Sequence, residues 1–412
     1  TITGGNADGP EGGEHRFGGG MYNRGRPTIV DCVFKYNSAK ESGGGMANLG
    51  ADDWTLSGCK FIGNRVRNDE GEHATGGGLC NLGSNLIVDN CAFINNFAAG
   101  IGPGAANGGG MYNEHCQVTV SRCSFIKNAT DGRGGGMSFY ATRGTIIKGC
   151  IFIGNSAEGY GGGGILCDPA SSEVDLTFAN CVFIRNRASQ GGGMIAWGGI
   201  RQTLVNCRFL GNSAEVGGGI YNIYGCSLVL SNCLFSGNSA NSGGAIETGG
   251  GAKKSDVELM NCTLTKNFGI GSTGGISIDE NDSLITMANC ILWGNTDSGD
   301  SIESAQIRRG KVIINNCCIQ GWSGQLGGVG SFEADPLFID PNGPDGKIGT
   351  EDDDFRLSSG SPCINAGDNS TIPADTLDFD GDGDPNELLP YDLDGKPRIQ
   401  GPTVDIGAYE CN

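Results

Sequence analysis

Eleven copies of one short unit run through the first three quarters of the chain. Equivalent cysteines mark them: Cys32, Cys59, Cys91, Cys123, Cys150, Cys181, Cys207, Cys233, Cys262, Cys290 and Cys317, spaced 26 to 32 residues apart. Residues 207–222, CRFLGNSAEVGGGIYN, and 233–248, CLFSGNSANSGGAIET, are nearly the same sentence. A unit this short cannot bury an apolar face of its own, so the copies must stack.

The residues at each phase say how. Two positions after the cysteine stands Phe in eight copies (Phe34, Phe61, Phe93, Phe125, Phe152, Phe183, Phe209, Phe235), then Leu264, Leu292 and Ile319. Three positions before it stands another apolar residue, from Ile29 to Ile314. Strand side chains alternate faces. These two positions have opposite parity, so the chain must bend between them. The residue just before the cysteine is Asn in seven copies and Gly in two, types that tolerate a left-handed backbone.

Five residues after the cysteine, ten of eleven copies carry asparagine: Asn37, Asn64, Asn96, Asn128, Asn155, Asn186, Asn212, Asn238, Asn267 and Asn295, with Trp322 in the last. A stacked amide can donate to one neighbouring copy and accept from the other. A run of small residues follows, usually three glycines, then Met, Leu or Ile. The pattern predicts an all-β parallel β-helix of about eleven coils with three short strands each, coils lying ~4.8 Å apart. A propeller blade needs ~40–45 residues and four strands, which excludes it. Residues 1–322 read as the solenoid and 323–412 as a loop-rich acidic C-terminal region.

Glycine supplies 76 of 412 residues without a collagen period, so it serves turns. Charge is uneven. Residues 331–412 carry 19 acids and 4 bases, a net of −15 within a chain total of −19. The coils are close to neutral, with no basic stripe, which argues against a nucleic-acid partner. No stretch of eighteen apolar residues predicts a transmembrane helix. The chain opens TITGG, without Met or a signal peptide, which reads either as processing or as a start downstream of the true beginning.

The pairing of FxxN, as in Phe209 to Asn212, with GGAI, Gly243 to Ile246, resembles the paired repeats of the chlamydial polymorphic outer-membrane proteins. More broadly, the coils look like the bacterial right-handed parallel β-helix proteins of the pectin-lyase-like superfamily. The segments ADPLFIDPNGPDGKIGTEDDDFRLSSGSPCINAGD and DLDGKPRIQGPTVDIGAYE are similar to the C-terminal region of bacterial extracellular β-helix proteins with a choice-of-anchor Q type domain. The resemblance implies a right-handed solenoid on an exported, extracellular or cell-surface protein.

Two acidic loops are candidate Ca2+ sites. DFDGDGDPNE sets Asp378, Asp380, Asp382 and Asp384 at alternate positions with Asn386 after them, the oxygen spacing of a calcium loop without its usual closing Glu. DPNGPDGKIGTEDDD offers Asp340, Asn342, Asp345 and one carboxylate among Asp352, Asp353 and Asp354. In both, the expected role is structural, offsetting self-repulsion. The ladder cysteines read as reduced, since stacked side chains hold their Cβ atoms too far apart. A disulfide between Cys363 and Cys411 is expected, both lying in strand-like phrases of the tail. The three histidines, His15, His73 and His115, form no metal or triad motif.

The most irregular loops hold Tyr160, Asp168, Glu173, Asp175, Arg185 and Arg187, without a coherent acid/base pair. Regular coils favour a non-enzymatic structural or adhesive surface protein. A polysaccharide lyase or glycoside hydrolase on the pectin-lyase-like fold is the alternative, as is a glycan-binding module using Tyr22, Tyr112 and Tyr221. If the chain is the whole mature protein, its uncovered first coil predicts head-to-tail stacking of copies into filaments.

Overall fold

The structure is a computed structural model and describes residues 1–9, 14–50, 53–70, 73–102, 105–169, 174–250, 253–278, 283–298, 301–308 and 310–411. Three parallel sheets wall a β-solenoid of about eleven turns. Among the described residues, the Phe sheet has twelve strands, from Ile2–Thr3 to Cys318–Ile319. The leading sheet, just before each cysteine, has eleven, from Thr28–Val30 to Lys311–Asn315. The glycine sheet, just after each glycine run, has eleven, from Met21–Asn23 to Ile307–Arg308. A fourth, broken ladder of very short strands follows the asparagines, seven from Asn6–Ala7 to Arg187–Ala188 and three from Ser239–Ala240 to Thr296–Asp297. The expected three strands per coil omit this ladder, because most of its strands are two residues long and show no readable alternation.

Register sets like on like. Phe93 pairs with Phe61 on one side and Phe125 on the other. The phenylalanine rings stack with centroids 4.5 to 4.9 Å apart and planes within 6°. That is the strand spacing itself. All eight are fully buried, with the ladder cysteines and the apolar residues of the other two sheets around them. No disulfide forms among the described cysteines, and none joins Cys363 to Cys411.

The bend before each cysteine is left-handed in every coil: φ is 52° at Asn90, 54° at Asn206 and 50° at Asn316. A second left-handed corner closes the other end of each Phe strand, at Tyr36, Asn95, Lys127, Arg185 and Lys266 among others. Glycine runs answer a different need. A Cβ on Gly192 would lie 2.5 Å from the Gly218 carbonyl oxygen and 2.6 Å from that of Ser213. Both are backbone atoms of the next coil and cannot swing aside. Gly192→Ala is expected to cost about 1–3 kcal/mol, read as a lower denaturation midpoint.

The asparagine ladder ends on a residue outside the repeat. Asn295 donates from Nδ2 to Gln306 Oε1 at 2.8 Å, and Gln306 Nε2 donates to the Asn295 carbonyl at 2.9 Å. Gln306 closes a single helical turn, Glu303–Gln306. It supplies the amide that the eleventh coil, with Trp322 at the ladder position, lacks. Trp322 and Leu326 pack against the last coil's core, and Val329 and Phe332 bridge to Asn315 and Cys318.

Beyond this point the chain turns back along the flank. Phe355, Leu393, Ala408 and Tyr409 cover Ile184, Leu210 and Leu234 on the outward face of the Phe sheet. Ile372, Leu389 and Val404 cover Val205 on the leading sheet. The left-handed asparagines anchor this strap: Asn232 donates to the Tyr391 carbonyl at 2.7 Å, and Asn289 to Thr371 Oγ1 at 2.8 Å. Among the described residues, no helix is long and apolar enough to cross a membrane.

Candidate functional site

The glycine sheet turns two side chains per strand outward. At the first outward position stand Tyr22, Tyr112 and Tyr221, together with Cys80, Ser138, Leu166 and Glu247. At the second stand Leu82, Glu114, Tyr140, Asp168 and Trp197. Corner residues just before the glycine runs, among them Phe17, Ser42, Thr75, Asn107 and Arg133, rise beside them and pair from coil to coil. The result is a cleft of about 550 Å³ crossing six coils, from Phe17 to Asp168. The strap lies on other faces and leaves it open.

The cleft mixes aromatic faces with carboxylates. Tyr140 and Tyr160 are exposed, and Trp197 is half-buried. The Arg133 guanidinium sits 4.7 Å from the Tyr160 ring and 4.8 Å from the Trp197 ring, and Asp168 lies 3.9 Å from it. This arrangement fixes two rings and one cation at the cleft's end. Tyr112 donates to Glu114 at 3.0 Å. Glu41 pairs with the buried Arg16 at 3.0 Å.

A buried chain of hydroxyls underlies the near end. Ser42 and Thr75 hydroxyls meet at 2.8 Å, and Thr75 Oγ1 lies 3.3 Å from Cys80 Sγ. Burial pushes the Cys80 thiol up to about 12. It stays protonated and out of contact with solvent, so it is no nucleophile. Each carboxylate of the cleft named above already has a partner. The groups present suit stacking and hydrogen bonding better than proton transfer.

The loop residues singled out in the sequence separate in space. Asp168 lines the cleft, and Tyr160 stands beside it against Arg133. Asp175 belongs to the leading sheet and Arg187 to the short corner ladder, while Arg185 is one of the left-handed corners. Glu173 lies outside the described residues. Sequence reasoning missed Arg133 and Trp197. Trp197 follows from the outward phase of the glycine sheet and Arg133 from the corner phase before the glycine run, but neither recurs from coil to coil.

The acidic loops divide too. Asp378, Asp380 and Asp382 come together, and so do Asp375, Asp380 and Glu387, each set offering oxygens within 4.8 Å of one another. Asp384 falls outside both sets; its carboxylate accepts from the Asn386 backbone amide. Asp340, Asp345 and Asp352 form no such set. Asn342 accepts from Lys266 at 2.6 Å, and Asp352 accepts from Thr350 and from the Asp345 amide. Cys363 packs in one apolar cluster with Cys318 and Ile406, and Cys411 borders it.

No family model matches the sequence, and no curated protein does. Among solved structures, the chain is similar to a pectate lyase at 13% identity, over 95% of this chain and 86% of that one, with a TM-score of 0.43.

Proposed function

We propose that the protein is a non-enzymatic, adhesive β-solenoid of the cell surface or extracellular space whose glycine-sheet cleft binds an extended, neutral glycan. One observation carries this reading: an open cleft across six coils that ends in the Tyr160, Arg133 and Trp197 cluster beside Asp168. Aromatic faces stack on the apolar faces of sugar rings, and carboxylates accept from their hydroxyls. Glu114 and Asp168 against one guanidinium disfavour a polyuronate, which would bring like charge to like. That consideration, and the paired state of the carboxylates, support binding over lyase or hydrolase chemistry.

Affinity electrophoresis through gels holding a neutral β-glucan or a polygalacturonate tests the reading. Retardation is expected in the neutral gel alone. It is expected to fall at least tenfold in Trp197→Ala and in Tyr140→Ala, with unchanged circular dichroism. Equal mobility in all gels rejects glycan binding. New reducing ends or unsaturated products released from either polymer would make the protein an enzyme instead.

A further inference from the structure

The strap carries a carboxylate cluster that the cleft does not use. Residues 373–389 form a hairpin. Its base is closed by an amide of Leu389 donating to Pro373 and an amide of Asp375 donating to Glu387, both at 2.8 Å. The same pairing sets Asp375 and Glu387 side by side, although eleven residues separate them. The intervening loop curls back over them. The Phe379 amide donates to Asp375 Oδ2 at 2.7 Å, Asp378 takes a left-handed turn with φ of 52°, and the Gly383 amide donates to Asp378 Oδ1 at 3.1 Å. Asp380 is thereby brought within reach of both base residues.

Two features point to a missing positive charge. Asp375 is fully buried, yet its Oδ1 has no hydrogen-bond partner. Glu387 Oε1, also shielded from solvent, has none either. A buried carboxylate oxygen without a donor or a counter-charge costs several kcal/mol, and such groups pair or coordinate metals. No lysine or arginine forms an ion pair with Asp375, Asp380 or Glu387 among the described residues.

The spacing fits a hard cation. Oxygens on opposite sides of a Ca2+ ion, at about 2.3–2.6 Å from it, lie about 4.6–5.2 Å apart. The three oxygens of Asp375, Asp380 and Glu387 lie within 4.8 Å of one another. A ligand set of carboxylate oxygens alone, on a loop loose enough for irregular geometry, favours Ca2+ over Zn2+ or a dehydrated Mg2+.

We propose that Asp375, Asp380 and Glu387 hold a Ca2+ ion that locks the 373–389 hairpin onto the leading sheet. The ion sits at the hairpin base, inward of the aspartate run, and Asp378 and Asp382 share Asp380 with it from the solvent side. The consequence is mechanical. Phe379 and Leu377 pack into the cluster formed with Val205, Ile372, Leu389 and Val404. Joining Asp375 to Glu387 and Asp380 through one ion fixes the loop that carries these two side chains. The hairpin's cover over the leading sheet is then held more firmly when the ion is bound.

Calorimetry on the full chain, stripped with chelator and titrated with Ca2+, tests the site, with hydrogen exchange of the 373–389 segment read in parallel. One tight site is expected, together with at least tenfold slower exchange in the hairpin. Glu387→Gln and Asp375→Asn should each weaken binding at least tenfold, and Asp384→Asn should leave it unchanged. Glu387 lies at the rim, so its variant keeps the test valid should the Asp375 variant fail to fold. No heat with Ca2+ overturns the proposal. So does binding that survives Glu387→Gln, or binding lost equally in Asp384→Asn, which would put the ion on the outer loop. None of these outcomes depends on whether the cleft binds a glycan.

Discussion

Replacing Asn186 with leucine is expected to cost about 2–6 kcal/mol, far more than one surface amide. Asn186 Oδ1 accepts from both the backbone amide and the Nδ2 of Asn155, each at 2.9 Å. Its own Nδ2 donates to the Phe152 carbonyl and to Asn212 Oδ1. Leucine keeps the branched shape and removes all four bonds. Asn155 Nδ2 still reaches the Phe125 carbonyl, and Asn212 Oδ1 still receives the Asn186 amide. The Asn155 amide loses its acceptor, and the Phe152 carbonyl loses this donor, both out of water. Each such loss costs about 1–3 kcal/mol. Arg185→Ala, exposed and one residue away, is expected to stay within about 0.5 kcal/mol. Denaturant unfolding followed by circular dichroism compares the two. Equal midpoints would mean that the amide ladder adds nothing beyond packing.

The ladder was legible because stacking turns a sequence phase into a spatial column. Every copy of Cys, Phe and Asn repeats the same environment, so residue identity is written many times over. The left-handed corner after each Phe strand obeys the same geometry but was not legible. Glycine, which the positive φ favours, fills it in six coils, from Gly63 to Gly321, but the exposed Tyr36, Asn95, Lys127 and Arg185 stand there in others, so the column is broken. The cleft is hidden too. Arg133, Asp168 and Trp197 are each unique to a coil, so no column announces them. In the tail there is no period at all. The aspartate run stood out, whereas Asp375 and Glu387 flank it from outside and meet only through the hairpin pairing. An acid on either side of the run was the available signal.

The strap's course along the flank was also unreadable, yet its main anchor lies in the phrase DLDGKPRIQGPTVDIGAYE. Arg398 is buried and pairs with buried Glu410 at 3.0 Å. It also donates to the carbonyls of Asp405 and Gly407 and to Asn232 Oδ1 of the solenoid. Asp392 and Asp405 stand close by, each carboxylate held by backbone amides. One guanidinium thus sits among three buried carboxylates and ties them to a coil. Arg398→Met keeps the stem and removes the charge. The carboxylates are then buried without a cation, and breaking such a pair costs about 3–5 kcal/mol. The loss should fall on the strap: limited proteolysis is expected to cut near residues 390–411 while the coils stay intact. The defect should depend on pH with a definite sign. Burial pushes the Glu410 carboxyl up to about 8, Arg398 opposing and Asp405 adding to the rise. A carboxyl raised in the folded state contributes stability below its unfolded value, near 4.5, and loses it as pH climbs through about 8. In Arg398→Met the opposing cation is gone, so Glu410 is neutral over a wider range. Proteolysis of the variant should therefore be slow near pH 5.5 and fast near pH 8.5. A strap equally resistant at both pH values, or cut no faster than in the parent protein, would show that apolar contacts alone hold it to the solenoid.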